Sequence, residues 1–230
     1  MELSVVLPCY NEEQNAAASV RDVWQWMQRE KIDGEIIAVD DGSKDGTKRV
    51  LQDLTKAIPV LRTVLREKNG GYGIAVRAGC DSATKEWIAF MDSDRQFRAD
   101  DLSKLIAFVG QYPFVTGRRR KRADPLMRKI FGKLLAMMNV VVLGLWVHDV
   151  NCGMKMFQRA IWKNIRPEYG VEKLFNTEMF LRLKVQKIPW KQVMVEHYPR
   201  RSGAQTGGSP RVIARMFLEL FHLRRSLRSM

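Results

Sequence analysis

The feature that most constrains this chain is a regular alternation of short apolar runs and amphipathic stretches over its first hundred or so residues. Ser4–Leu7, Glu35–Val39, Val60–Arg66, Glu86–Met91 and Pro113–Thr116 read as strands. Asn15–Arg29, Thr47–Ala57, Tyr72–Ala83 and Asp100–Val109 read as helices between them. Strands joined through helices predict an α/β fold with a mostly parallel sheet flanked on both faces. In such sheets ligands gather beyond the carboxyl ends of the strands. Three of those ends carry polar clusters: Cys9-Tyr10-Asn11-Glu12-Glu13, Asp40-Asp41, and Asp92-Ser93-Asp94.

The second half has a different texture. Leu134–Val147 is apolar apart from Asn139 and Gly144. It is shorter than the roughly 20 residues of a spanning helix, so it predicts a core helix or an interfacial segment. Asp149–Phe157 reads as loop and strand, Asn176–Lys187 as helix and Lys191–Glu196 as strand. Ser202–Pro210 reads as a loop. Val212–Ser229 reads as an amphipathic helix, with Ile213, Met216, Phe217, Leu220 and Leu227 on one side and Arg211, Arg215, His222 and Arg225 on another. No internal repeat is visible. The expected organisation is one domain over 1–210 and a C-terminal helical appendage over 211–230.

Charge sharpens this. The formal net charge is +14, and it is concentrated. Arg118–Lys133 holds eight basic residues against Asp124, and Arg200 to the end holds seven arginines against Glu219, so these two regions carry +13 of it. Two basic regions predict a polyanionic partner: nucleic acid, anionic lipid or a phosphorylated substrate. With 46% hydrophobic and 28% charged residues, disorder, a collagen-like rod and a multi-spanning membrane protein are excluded. Three scattered cysteines and an N-terminus that opens on a strand without a leader predict a reducing, cytoplasmic setting.

The strand ends suggest chemistry. In Asp92-x-Asp94-x-Gln96, two carboxylates and an amide oxygen at alternate positions suit Mg²⁺ or Mn²⁺ bridging a diphosphate. The same residues also suit a polar strand end with a helix cap. Asp40-Asp41-Gly42-Ser43 offers acceptors for a base N–H or ribose hydroxyl, and equally serves turn chemistry. Asn69-Gly70-Gly71-Tyr72-Gly73 is a phosphate cradle or a close packing turn. It is neither a dinucleotide fingerprint nor a P-loop. Cys9 and Cys152 adjoin these motifs but lack the partners of a nucleophile. His148 and His222 read as ordinary polar residues, and His197 stays open because it lies near Arg200.

Pro8-Cys9-Tyr10-Asn11-Glu12-Glu13, Val39-Asp40-Asp41-Gly42-Ser43-Lys44-Asp45-Gly46-Thr47, Asn69-x-Gly71-x-Gly73-x-Ala75-x-x-x-Gly79 and Asp92-x-Asp94-x-Gln96 occur in that order. Together they resemble the family 2 glycosyltransferases of GT-A (Rossmann-like) fold. Within that family they resemble the polyprenyl-phosphate glycosyltransferases, the group that includes dolichyl-phosphate mannose synthase. Thr116-Gly117-Arg118, Asp149-x-Asn151-Cys152-Gly153-Met154-Lys155, Glu178 and Arg200-x-x-Gly203 extend the likeness to about residue 210. The resemblance implies that Pro8, Tyr10, Glu12 and Asp41 line the base and ribose pocket. It implies that Asp92, Asp94 and Gln96 hold the metal and diphosphate. Arg118, Lys133 (or Arg128 nearby) and Arg200 would meet the acceptor phosphate or donor diphosphate. The subgroup commonly has Leu and His where this chain has Arg95 and Phe97, and Ser-Arg where it has Arg118-Arg119. Those departures leave sugar and acceptor identity open.

The implied reaction is inverting transfer of a hexose from a UDP- or GDP-linked donor to a polyprenyl phosphate. A phosphate is already anionic near neutral pH, so it needs no general base, whereas a hydroxyl acceptor on a glycolipid or polysaccharide would. Asp149 or Glu178 would then be that base. The basic regions and amphipathic segments predict peripheral attachment at the cytoplasmic membrane face, through anionic lipid or a membrane partner subunit, with a homo-oligomer also open. Nucleic-acid binding rests on charge alone and is not expected, because the arginines of 118–122 have no interleaved aromatics.

Overall fold

The computed structural model describes residues 1–120, 126–170, 174–200 and 223–225, with the backbone alone at 126–133 and at 135. Seven strands form one sheet: β1 (Glu2–Cys9), β2 (Asp33–Asp40), β3 (Leu61–Leu65), β4 (Trp87–Met91), β5 (Phe114–Arg119), β6 (Met154–Gln158) and β7 (Trp190–Val195). Their order is β3-β2-β1-β4-β6-β5-β7. β6 runs antiparallel to both β4 and β5, and every other pairing is parallel. The expected α/β architecture is therefore present, with one reversed strand that apolar patterning does not encode.

The central strands are buried from end to end because helices cover both faces. Successive side chains on β1 alternate between two cores. Leu3, Val5 and Leu7 pack with Val20, Val23 and Trp26 of α1 (Glu13–Arg29) and Leu51 of α2 (Thr47–Ala57). Val6 packs with Val76 of α3 (Tyr72–Asp81), on the face that also holds Phe114, Phe157, Phe175 and Phe180. α4 (Asp100–Ile106) joins the first layer through Leu102 and Leu105. α7 (Leu174–Val185) joins the second through Leu174, Met179, Leu181 and Leu183.

α5 (Leu126–Leu143) starts inside the basic region, earlier than the apolar run suggested, and stops before Gly144, whose φ is +60°. It buries Asn139 and Leu143 and exposes Met137, Val140 and Val141. No described helix is long and apolar enough to cross a membrane. A 3₁₀ turn at Arg159–Ile161 and the short α6 (Trp162–Ile165) were not legible as periodic patterns. The Ser202–Pro210 loop, and the Val212–Ser229 helix apart from residues 223–225, lie outside the described residues. Those three residues are helical; Leu223 is buried and Arg224 donates to the Val142 carbonyl of α5.

The order β2-β1-β4 makes the gap between β1 and β4 the topological switch point. Chains leaving the two strands diverge there and open a crevice. The three polar clusters stand at the carboxyl ends of β1, β2 and β4, so this crevice is where the fold collects them.

Candidate active site

The β4 end is clamped from two sides. Ser93, between the two aspartates, donates its hydroxyl to the Pro8 carbonyl at 2.6 Å, and its own carbonyl accepts from the Ser19 hydroxyl at 2.7 Å. Arg95 then takes φ +63°, and Gln96 N–H turns back to Asp94 Oδ1 at 3.1 Å. A non-glycine residue in that left-handed region costs free energy that the surrounding contacts must offset. Asp92 N–H donates to the Gly153 carbonyl at 3.1 Å, and a Cβ on Gly153 would collide with the Asp92 carboxylate. Asp92 is thus packed against bare backbone.

Beyond β7 the chain crosses back over this loop. Tyr198 N–H donates to the Gln96 carbonyl at 2.9 Å, and Gln96 Nε2 donates to the Tyr198 carbonyl at 3.2 Å. That crossing delivers Arg200, which contacts Glu12 Oε1 and lies 3.5 Å from Asp94 Oδ2. Glu12 also accepts from Asn15 Nδ2 at 2.7 Å, and burial raises its pKa against the pull of Asn15 and Arg200. His197 packs edge-on to Phe97, with ring centres 5.3 Å apart.

Asp41 at the β2 end is buried. It accepts from Gly70 N–H at 3.1 Å and Gly71 N–H at 2.8 Å and pairs with Arg66 at 3.2 Å. Burial raises its pKa and these donors offset the rise. Gly71, at φ +95°, is what lets the glycine loop fold onto that carboxylate. Pro8 is buried in β1 and Tyr10 is half-buried at its end.

On the other flank, strand alternation sends neighbouring arginines of β5 in opposite directions. Arg118 is exposed. Arg119 turns inward to Asp149, with Nε and Nη2 at 2.8 and 2.7 Å from its oxygens. Arg119 is the residue that sequence reasoning missed; only the register of β5 separates it from Arg118. The side chains of Lys133 and Arg128 lie outside the described residues. Glu178, the second carboxylate named as a base, is fully buried and accepts from the N–H groups of Glu168, Tyr169 and Gly170 and from Arg182. Its geometry is that of a loop clamp, which engages both oxygens and takes it out of consideration as a base. Burial pushes the Cys9 and Cys152 thiols up to about 12, so both stay protonated.

The residues at the β4 end fit a divalent cation. Asp92 Oδ1 is enclosed yet has no hydrogen-bond partner among the described residues. Burial first, and the neighbouring Asp94 carboxylate second, push the Asp92 pKa up to about 7. Arg200 meets Asp94 Oδ2, while Asp92 keeps its raised pKa despite the pull of Lys155 and Arg119. Among the described residues no three His, Cys, Asp or Glu side chains converge on one point. The protein offers two carboxylates and the Gln96 amide oxygen, which leaves room for phosphate oxygens and water, as hard cations prefer.

The profile of glycosyl transferase family 2 matches residues 4–166. The chain belongs to that family. It is 26% identical over 210 residues to a dolichyl-phosphate beta-glucosyltransferase of Trichomonas vaginalis, covering 83% of this chain and 62% of that protein. It is 32% identical over 173 residues to a dodecaprenyl-phosphate galacturonate synthase of Rhizobium johnstonii, covering 72% and 50%. The chain thus spans about half to three fifths of these curated relatives. Among solved structures, glucosyl-3-phosphoglycerate synthase of Mycobacterium tuberculosis, in complex with Mn²⁺, UDP-glucose and phosphoglyceric acid, superposes with a TM-score of 0.69 at 24% identity, covering 96% of this chain and 80% of that one. That likeness extends the GT-A assignment to nearly the whole chain.

Proposed function

We propose that this chain is a metal-dependent, inverting glycosyltransferase that moves a hexose from a nucleotide-diphosphate sugar to a polyprenyl phosphate at the cytoplasmic face of a membrane, with residues 1–210 as its catalytic domain. The observation that carries the reading is the convergence of Asp92, Asp94, Glu12 and Arg200 at the switch point between β1 and β4. The names of the curated relatives, which transfer sugars to dolichyl and dodecaprenyl phosphates, support the acceptor.

Asp92, Asp94 and Gln96 would hold Mg²⁺ or Mn²⁺, which when bound neutralises charge on the departing nucleoside diphosphate. Pro8, Tyr10, Glu12 and Asp41 line the nucleotide side of the crevice. Arg200 ties Glu12 to Asp94, so the nucleotide side and the diphosphate side keep a fixed spacing. Two anions must approach each other in this reaction, a lipid phosphate and a diphosphate. Arg118 and Lys133 supply the positive charge that offsets their repulsion, and inward-turned Arg119 adds to it. An acceptor phosphate oxygen attacks the anomeric carbon as the bond to the diphosphate breaks, and no proton needs removing. Asp149 engages Arg119 with both oxygens and acts by orienting that guanidinium. Exposed Met137, Val140, Val141 and Trp146, following the basic region in sequence, suit a membrane surface on the acceptor side.

The test is a radiolabel transfer assay with Mn²⁺, a panel of UDP- and GDP-sugars and a short polyprenyl phosphate, with Asp94→Ala alongside. Metal-dependent label in the organic phase, lost in the variant, is the expected result. Donor consumption without lipid labelling moves the acceptor to a hydroxyl. No binding and no transfer with any donor overturns the reading.

A further inference from the structure

Lys155 is a buried cation that the proposed chemistry does not use. It lies mid-sheet on β6, opposite Phe90 of β4 and Thr116 of β5, and is fully buried. Its Nζ stands 5.3 Å from the Phe90 ring centre and 5.7 Å from that of Phe180 on α7. Among the described residues it makes no ion pair; it donates instead to the carbonyls of Val150 at 3.1 Å and Cys152 at 2.5 Å. An ammonium ion in such an enclosure costs free energy that a methionine of similar bulk would not. Burial pushes its pKa down to about 8, against the pull of the Asp149 and Asp92 carboxylates, so it is still charged at neutral pH.

The two carbonyls belong to one turn, residues 149–153, whose ends stand on the two flanks of the site. At one end Gly153 is tied to β4, because its carbonyl accepts the Asp92 N–H at 3.1 Å. At the other, the Asp149 carboxylate accepts from the backbone N–H, Nε and Nη2 of Arg119. Within the turn, Cys152 N–H donates to the Asp149 carbonyl at 3.2 Å, and Asn176 Nδ2 of α7 donates to Asn151 Oδ1 at 3.3 Å. Lys155 is the side chain that holds the turn from the core. Without Nζ, the Val150 and Cys152 carbonyls lose that donor beside two aromatic rings, and the backbone must rotate to recover one. Gly153 cannot follow, since it leads straight into β6 and is bonded to β4. The movement falls on the Asp149 end, and Arg119 moves with it.

We propose that Lys155 is a positioning residue for the transfer reaction: through the 149–153 turn it keeps Arg119 in register with Asp92, and so aligns the acceptor flank with the metal corner. This rests on the glycosyltransferase reading and deepens it.

Lys155→Met separates this role from packing, because methionine fills the space between Phe90 and Phe180 with similar bulk and donates nothing. With Mn²⁺, the full-length variant should bind the nucleotide sugar used by the unaltered chain no more than about twofold more weakly by calorimetry, while kcat/KM for polyprenyl phosphate falls at least about tenfold. Asp149→Asn supplies a second readout. Because Lys155 acts through Asp149, adding Lys155→Met to Asp149→Asn should cost less than about a further threefold. Unchanged kcat/KM in Lys155→Met, a loss of donor affinity as large as the loss in kcat/KM, or fully multiplicative losses in the double variant each overturn the proposal and leave the glycosyltransferase reading standing. If Lys155→Met loses its circular-dichroism melting transition, Lys155→Gln, whose uncharged amide sits one bond short of both carbonyls, takes its place in both comparisons. Loss of the transition in both variants makes Lys155 a requirement of the fold and overturns the proposal. Absence of transfer by the unaltered chain with every donor overturns the underlying reading and this one with it.

Discussion

Arg119 and Asp149 form a two-pronged ion pair at the end of the sheet, at 2.7 and 2.8 Å, with both side chains 9% exposed. The Arg119 backbone N–H adds a third bond to the same carboxylate at 3.1 Å. Three donors fix its position. Breaking a buried pair from one side leaves a charge uncompensated, which costs about 3–5 kcal/mol. Asp149→Asn should therefore lower urea-unfolding stability by roughly that amount, with turnover falling through the misplaced arginine. A general base would behave differently: turnover would vanish while stability held. Replacing both residues by apolar ones of similar volume should restore much of the stability without restoring activity.

Arg200 is the one described contact between the end of β7 and both Glu12 and Asp94. Removing it leaves two carboxylates facing each other across the crevice. Arg200→Ala should reduce kcat/KM by at least about tenfold, equivalent to roughly 1.4 kcal/mol of transition-state stabilisation. Arg200→Lys should recover only part, because a point charge cannot span both partners. Steady-state kinetics that matched the unaltered chain would show that the bridge is incidental.

These two arginines mark what the sequence does and does not disclose. The strand ends were legible because apolar runs stop abruptly at acidic or amide residues, and that contrast is a local property. The inward arginine was not legible, since a shift of one residue in the register of β5 exchanges Arg118 for Arg119. Nor was the reversal of β6, because a strand buried on both faces reads the same in either direction. The start of α5 was hidden by its basic residues, which have good helix propensity but break the apolar run. Asn151 and Asn176 meet only through the tertiary fold, and nothing in either local pattern announces the pairing.

Gly153 provides a packing test. A side chain there would strike the Asp92 carboxylate, and little else about the turn requires glycine. Gly153→Ala should displace Asp92, weaken Mn²⁺ binding and lower kcat by about 100-fold, a size seen when one group that stabilises transition-state charge is lost. Stability should change far less, since the site and not the core absorbs the shift. Titration of Mn²⁺ followed by electron paramagnetic resonance would report the affinity directly, and unchanged affinity would refute the argument.

The Asp92 carboxyl sets a pH dependence whose sign is fixed. Its folded pKa of about 7 lies above the ordinary carboxylate value of about 4, because burial and Asp94 both penalise the charged form. The folded state therefore binds this proton more tightly than the unfolded chain does. The resulting stabilisation is complete below about pH 4 and is lost as pH rises through about 7. A divalent cation at the same corner favours the charged form, so it competes with the proton and should bind poorly below pH 7. The Mn²⁺-induced rise in Tm should thus be larger at pH 8 than at pH 6, and activity should decline on the acid side with the same midpoint. In Asp92→Asn the proton and its linkage are gone, so the difference in Tm between the variant and the unaltered chain should change sign or shrink across this window. Melting curves at half-unit steps from pH 5 to 8.5, with and without Mn²⁺, check the claim. Identical pH slopes for the two proteins would assign the titration to another group.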